Sequence, residues 1–140
     1  IVPQAPRLNQ QPWARLEEYC RTLVGQGNEL YIISGAYGRG GGGANGSATT
    51  LDQGRITVPA RCWKVVVVLP AGTNDANRVT GSTRIIAVNL PNDNDVESSW
   101  GSYRVSVDAL EAATGLDLLS ALPAAVQDAV EARVDAGPVQ

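Results

Sequence analysis

At 140 residues the chain is long enough for one domain with a single modest core. Its 11 Lys and Arg against 14 Asp and Glu give a formal net charge of −3, and the pI is near 4.8. That balance excludes the broad basic surface usual in nucleic-acid binders, so any such role needs local cations or a metal ion. The count of 0 His excludes every Ser-His-Asp and Cys-His catalytic arrangement from these residues, and leaves a zinc site only two Cys and carboxylates to draw on, a poor donor set for that ion.

The opening Ile1-Val2-Pro3-Gln4 lacks an initiator Met and reads like mid-domain sequence, so the expectation is a mature or cut chain. No apolar run approaches the roughly 18–20 residues that cross a membrane, and no basic-then-apolar leader begins the chain. Residues 1–9 read as extended. Asn9 or Gln10 can cap a helix, with Pro12 in its first turn, running to about Val24 and stopping at Gly25-Gln26-Gly27. Trp13, Leu16, Cys20, Leu23 and Val24 fall within one arc of about 100°, the expected buried face. Glu17 and Arg21 sit just off its edge, and Asn9 lies at the N-terminal end of the same side.

Glu29 to Ser34 (ELYIIS) is a short strand whose continuous apolar run implies cover on both faces. Gly38 to Gly46 (GRGGGGANG) reads as a flexible linker, since it lacks the GxxxxGK[ST] pattern of a phosphate loop. Gly54–Pro59, Trp63–Leu69 and Thr83–Leu90 are further strands, the Trp63 strand central. Asn92 to Gly101 is a polar loop. Ser106–Thr114 is a helix stopped by Gly115. A last helix runs from Pro123 to about Val134, and the tail frays at Gly137-Pro138. The order implies an α+β fold: an antiparallel sheet with one helix packed on it and two C-terminal helices, in a single domain over 1–140.

Cys20 and Cys62 permit one disulfide or two buried thiols, and the spacing does not decide between them. Glu17 and Glu18 are adjacent and diverge by about 100° on a helix, so they are not paired carboxylates. Asn9, Glu17 and Arg21 are the best candidate group. An amide oxygen suits Mg²⁺, a carboxylate can hold one of the ion's waters, and an Arg fork can grip a phosphate. Spacing alone is also satisfied by a plain N-cap at Asn9 and a helix-surface pair of Glu17 with Arg21. Arg39 and Arg104 could add phosphate contacts or be ordinary solvated charge.

The blocks IVPQAPRLNQQPWARLEEYCR, ELYIISGAYG, VPARCWKVVVVL and YRVSVDALEAATGLDLLSALP together resemble the C-terminal two-thirds of the DNA/RNA non-specific endonucleases. This is the ββα-metal family of secreted bacterial nucleases with mitochondrial relatives. The most specific match is N-x-x-x-W-x-x-L-E-x-x-x-R at Asn9, Trp13, Leu16, Glu17 and Arg21. The resemblance implies a ββα-metal nuclease fold and a Mg²⁺-dependent hydrolysis of DNA and RNA, with Mn²⁺ as a substitute ion. It implies Asn9 as the direct metal ligand, Glu17 as holder of a metal-bound water and Arg21 as the phosphate contact. It also implies a secreted or periplasmic bacterial protein.

The departure is the D-R-G-H motif, whose histidine activates water in the family and which these residues lack. The resemblance therefore implies a metal-binding portion, inactive alone, that needs a partner: an upstream His-containing segment of the same nuclease. The rival expectation is a non-catalytic, nuclease-derived binding module. The missing histidine favours the rival, and the retained Asn9, Glu17 and Arg21 disfavour it.

Overall fold

A computed structural model describes residues 2–43 and 45–140, and it follows the α+β layout of the sequence. A first helical segment combines α1 (Pro6–Leu8), a π turn (Asn9–Trp13) and α2 (Ala14–Gly25). The main sheet contains β1 (Asn28–Tyr37), β6 (Arg61–Pro70) and β7 (Arg84–Pro91), antiparallel in the order β1-β6-β7. Between β1 and β6 lie two small ribbons, β2 (Gly41–Gly43) with β3 (Gly46–Ala48) and β4 (Thr50–Leu51) with β5 (Ile56–Thr57). The short α3 (Asp75–Arg78) precedes β7, and α4 (Val107–Thr114) and α5 (Ala124–Glu131) follow it. No helix among the described residues is long and apolar enough to cross a membrane.

The central strand divides its side chains between two layers, as period-2 alternation requires. Cys62 and Val66 face the layer of Leu8, Leu16, Tyr19, Cys20, Leu23 and Trp100. Trp63, Val65, Val67 and Leu69 face the layer of Val107, Leu110, Leu118 and Val130. Thus α2 covers one face of the sheet, and α4 and α5 cover the other. Gly35 lies across from Trp63 in the β1–β6 ladder, and a Cβ there would come within 2.5 Å of the indole. Only glycine lets that ring lie over β1.

Several expectations are corrected. The helix begins at Pro6, four residues before Gln10, because Pro6 occupies a first-turn position and Leu8 is fully buried. Pro12 is therefore inside the helix, where it has no N–H to donate and its ring crowds the carbonyl of Leu8. The π turn is the local widening that accommodates it. On α2, Tyr19 joins the buried face while Val24 is 54% exposed. Strand β1 is not covered on both faces: it is an edge strand, and Tyr31, Ile32 and Ile33 are exposed.

The glycine-rich stretch is a paired ribbon rather than a linker. The Gly42 N–H donates to the Asn92 carbonyl at 2.8 Å, and a Cβ on Gly41 would meet that same oxygen at 2.7 Å. Ala44, in the same stretch, lies outside the described residues. The Gly54–Pro59 strand shrinks to Ile56–Thr57, and the last helix ends at Glu131. The tail does not fray. Asp135 accepts from Arg84 at 2.8 Å and from Arg104 at 2.9 Å, and Arg84 also donates to the Pro138 carbonyl at 2.6 Å. Arg104 is thereby a structural cation and not free surface charge.

Candidate metal and phosphate site

The helix that carries the candidate residues is fixed at both ends of its buried face. At the N-terminal end, buried Asn92 accepts from the Ala5 N–H at 2.6 Å and donates to the carbonyls of Pro3 and Pro59 at 3.0 and 2.9 Å. Further along, Leu16, Cys20 and Leu23 lock α2 to the sheet. Tyr19 stacks at 5.5 Å on Trp100 and its hydroxyl accepts from Arg84 at 2.6 Å. The polar edge of α2 is therefore held rigidly relative to β6.

Glu17 and Arg21 line one cleft with Cys20, Leu30, Ile32 and Lys64. They form no ion pair with each other, so the helix-surface pair does not account for them. Asn9 is not an N-cap either: it lies inside the helical segment, and its own N–H donates to the Ala5 carbonyl at 3.0 Å. Its side chain is exposed, in a position where Asn is a poor helix former. Asn9 does not line the cleft of Glu17 and Arg21; it stands about 12 Å from Glu17 along the helix axis.

The π turn bears on where Asn9 points around the axis. Eight α-helical steps rotate by about 800°, which leaves Asn9 about 80° away from Glu17. The extra residue taken up by a π turn reduces this to about 700°, within about 20° of alignment. The same distortion that relieves Pro12 thus sets Asn9 on the Glu17 side.

Lys64 is the member of the site that sequence reasoning missed. It sits in the Val-rich run of β6, which reads as pure core. Alternation was the available signal, since Lys64 shares a face with Cys62 and Val66 under α2. It is only 5% exposed, with its Nζ 4.3 Å from the Trp13 ring centroid. Burial pushes its ammonium below the ordinary 10.5, and the carboxylate of Glu17 works in the opposite direction. Cys20 and Cys62 are free, buried thiols rather than a disulfide, and burial pushes both upward.

Glu17 stands beside two cations, Arg21 and Lys64, and a second hard oxygen donor, Asn9, lies about 12 Å away on the same helix. The donors fit a divalent ion of the Mg²⁺ type, which accepts few protein ligands and keeps several waters. The cations fit a phosphate oxygen. Such a set, on a helix packed against an antiparallel sheet, has the form of a ββα-metal nuclease.

The chain belongs to the DNA/RNA non-specific endonuclease family, whose model matches residues 1–125. It is 44% identical to a nuclease of Nostoc sp. over 135 residues, covering 96% of this chain and 46% of that protein. It is 29% identical over 136 residues to the nuclease of Serratia marcescens, covering 95% of this chain and 46% of that protein. A crystal structure of the EndoG/EndoGI complex matches its fold with a TM-score of 0.61 at 19% identity, over 88% of this chain and 49% of that one. The chain spans about half the length of the curated relatives it matches.

Proposed function

We propose that these residues form the ion- and phosphate-binding portion of a Mg²⁺-dependent endonuclease that hydrolyses phosphodiester bonds of DNA and RNA. The observation that carries this reading is the cleft of Glu17, Arg21 and Lys64, in which neither Glu17 nor Arg21 is committed to the other. Asn9 would hold the ion directly. Glu17, about 12 Å along the axis, would reach it through one of the ion's waters. Bound there, the ion supplies neutralisation of the charge that develops on the phosphate. Arg21 offers its planar fork to two phosphate oxygens, and Lys64 adds a desolvated positive charge from below.

The proton acceptor belongs to a second part of the proposal. None of these residues is a histidine, so a histidine-bearing segment of the same nuclease completes the site. That histidine takes the proton of the attacking water while the bond from phosphorus to the 3′ oxygen breaks. The open edge of β1, with Tyr31, Ile32 and Ile33 exposed, supports this reading because an edge strand can pair with an added strand. Without that segment the 140 residues bind but do not cut. A secreted or periplasmic location is part of the same proposal and rests on the family resemblance.

The test is plasmid and RNA cleavage with Mg²⁺ and with EDTA, alongside intact-mass analysis. The expected result is metal-dependent cutting only when a histidine-containing segment is present, abolished by Asn9→Ala. Undiminished cutting by Asn9→Ala, or cutting in EDTA, overturns the proposal. Tight nucleic-acid binding without cleavage even in the completed protein points to the non-catalytic module instead.

A further inference from the structure

A second group of oxygen donors lies on the opposite side of the sheet, between α4 and α5. Asp108, Glu111 and Glu131 each present a carboxylate oxygen, and the three lie within 4.8 Å of one another. Asp108 and Glu111 are one turn apart on α4, and Glu131 is the last residue of α5. Their surroundings are not those of ordinary surface acids. Glu131 is only 6% exposed, and its Oε1 has no hydrogen-bond partner. Buried carboxylates are normally paired or hydrogen-bonded, because the uncompensated charge is costly. The end of α5 adds to this cost, since a helix C-terminus carries partial negative charge.

The neighbouring charges also have one sign. Burial, then Glu111, Asp108, Asp117 and Asp128, push the Glu131 carboxyl up to about 7. Glu111 is already oriented, since one of its oxygens accepts from the Leu118 N–H at 2.7 Å. The nearby Arg133 does not compensate the group, because its guanidinium donates to the carbonyls of Gly81 and Thr83.

We propose that Asp108, Glu111 and Glu131 form a Ca²⁺-type cation site, separate from the Asn9 and Glu17 centre, that clamps α4 to α5. The chemistry is that of a hard cation taking carboxylate oxygens. Two oxygens each about 2.4 Å from one Ca²⁺ can stand at most about 4.8 Å apart, and all three oxygens here lie within 4.8 Å of one another. Mg²⁺ binds through one or two carboxylates and gives up its waters reluctantly, so three converging carboxylates suit Ca²⁺ better. Three protein oxygens leave room for waters in a coordination shell of about 6–8. Asp108 is exposed, so the ion enters from solvent, while Glu131 anchors it from inside. The site is structural: it shares no residue with the cleft of Glu17, Arg21 and Lys64.

The experiment is thermal unfolding and isothermal titration calorimetry with CaCl₂ in an Asn9→Ala/Glu17→Ala background, which removes the other metal donors. One equivalent of Ca²⁺ should bind, with a Kd on the order of 10⁻⁴ M, and should raise the melting temperature. Glu131→Gln and Asp108→Asn should each weaken binding at least tenfold. Asp108 is exposed, so its substitution tests the site without disturbing the core. Absence of a calorimetric signal up to about 10 mM Ca²⁺, beyond the range of weak extracellular sites, overturns the proposal. Equal binding by folded Asp108→Asn and Glu131→Gln also overturns it. Mg²⁺ run in parallel should bind at least tenfold more weakly than Ca²⁺; equal affinity removes the assignment to Ca²⁺.

Discussion

The two faces of the sheet are built from alternate residues of the same strands, yet they treat buried charge in opposite ways. Under α2, the buried cation Lys64 has the Trp13 ring above it and the Glu17 carboxylate nearby. Under α4 and α5, the charges that act on the buried Glu131 are those of other carboxylates. The first face is internally compensated and keeps Arg21 free to meet an anion. The second is compensated only by something from solution. Burial of a charge therefore points to a different ligand on each side: a phosphate where cations gather, and a metal ion where carboxylates do.

The comparison is broken most severely by removing the packing that keeps α2 on its face. Leu16→Ala should cost about 2–5 kcal/mol in a urea titration, because Leu16 is fully buried. It should also displace Glu17 and reduce cleavage in the completed enzyme. Asp135→Asn should cost about 3 kcal/mol, since it leaves Arg84 and Arg104 without their shared carboxylate.

Asp135 also gives a pH signature. Burial pushes its carboxyl up, but the hydrogen bonds from Arg84 and Arg104 outweigh this and hold it below the ordinary 3.8. A folded value below the unfolded one means that the stabilisation is complete above about pH 4 and is lost as pH falls further. Unfolding midpoints measured from pH 6 down to pH 2 should show that loss, and Asp135→Asn should flatten it.

Glu17→Ala sharpens the comparison from the catalytic side. It should change stability by less than about 0.5 kcal/mol, as an exposed helix position does, and reduce kcat/KM about 100-fold, equivalent to about 2.7 kcal/mol. Normal cleavage by this variant removes Glu17 from the site. An effect of the opposite sign is expected at Glu131. In EDTA at pH 8, Glu131→Gln should raise stability by about 1 kcal/mol by removing an unpaired buried charge, whereas the removal of Lys64 by Lys64→Met should leave stability nearly unchanged and weaken nucleic-acid binding.

Much of the fold was legible where the signal is local. The helix α4 was read from its spacing and its Gly115 stop, and the structure has Gly115 in the left-handed region, with Ser106 as the N-cap whose hydroxyl accepts from the Ala109 N–H. The central position of β6 followed from its Val-rich run. The motif of Asn9, Glu17 and Arg21 was visible as spacing on one helix. What escaped depends on partners distant in sequence. The start at Pro6 is set by Leu8 packing and by Asn92, 87 residues from Ala5. Lys64 was hidden among valines because its polar neighbours come from α2. Glu131 carries no signal in the sequence, because only the fold brings Asp108 and Glu111 beside it. The open β1 edge was misread because continuous apolar runs signal burial only when something lies on them.

The π turn at Asn9–Trp13 is in effect one extra residue absorbed by the helix. Exchanging Gln10 or Gln11 changes an exposed or half-exposed side chain and leaves the phase of the helix alone. Deleting either one closes the widened turn and leaves seven α-helical steps between Asn9 and Glu17, about 700°, so Asn9 keeps its phase and moves about 1.5 Å closer to Glu17. Inserting a further residue instead turns Asn9 by about 100° relative to Glu17. Relatives with a one-residue gap between the Asn and the Trp should therefore have a plain α-helix there and keep the oxygen donor on the same side.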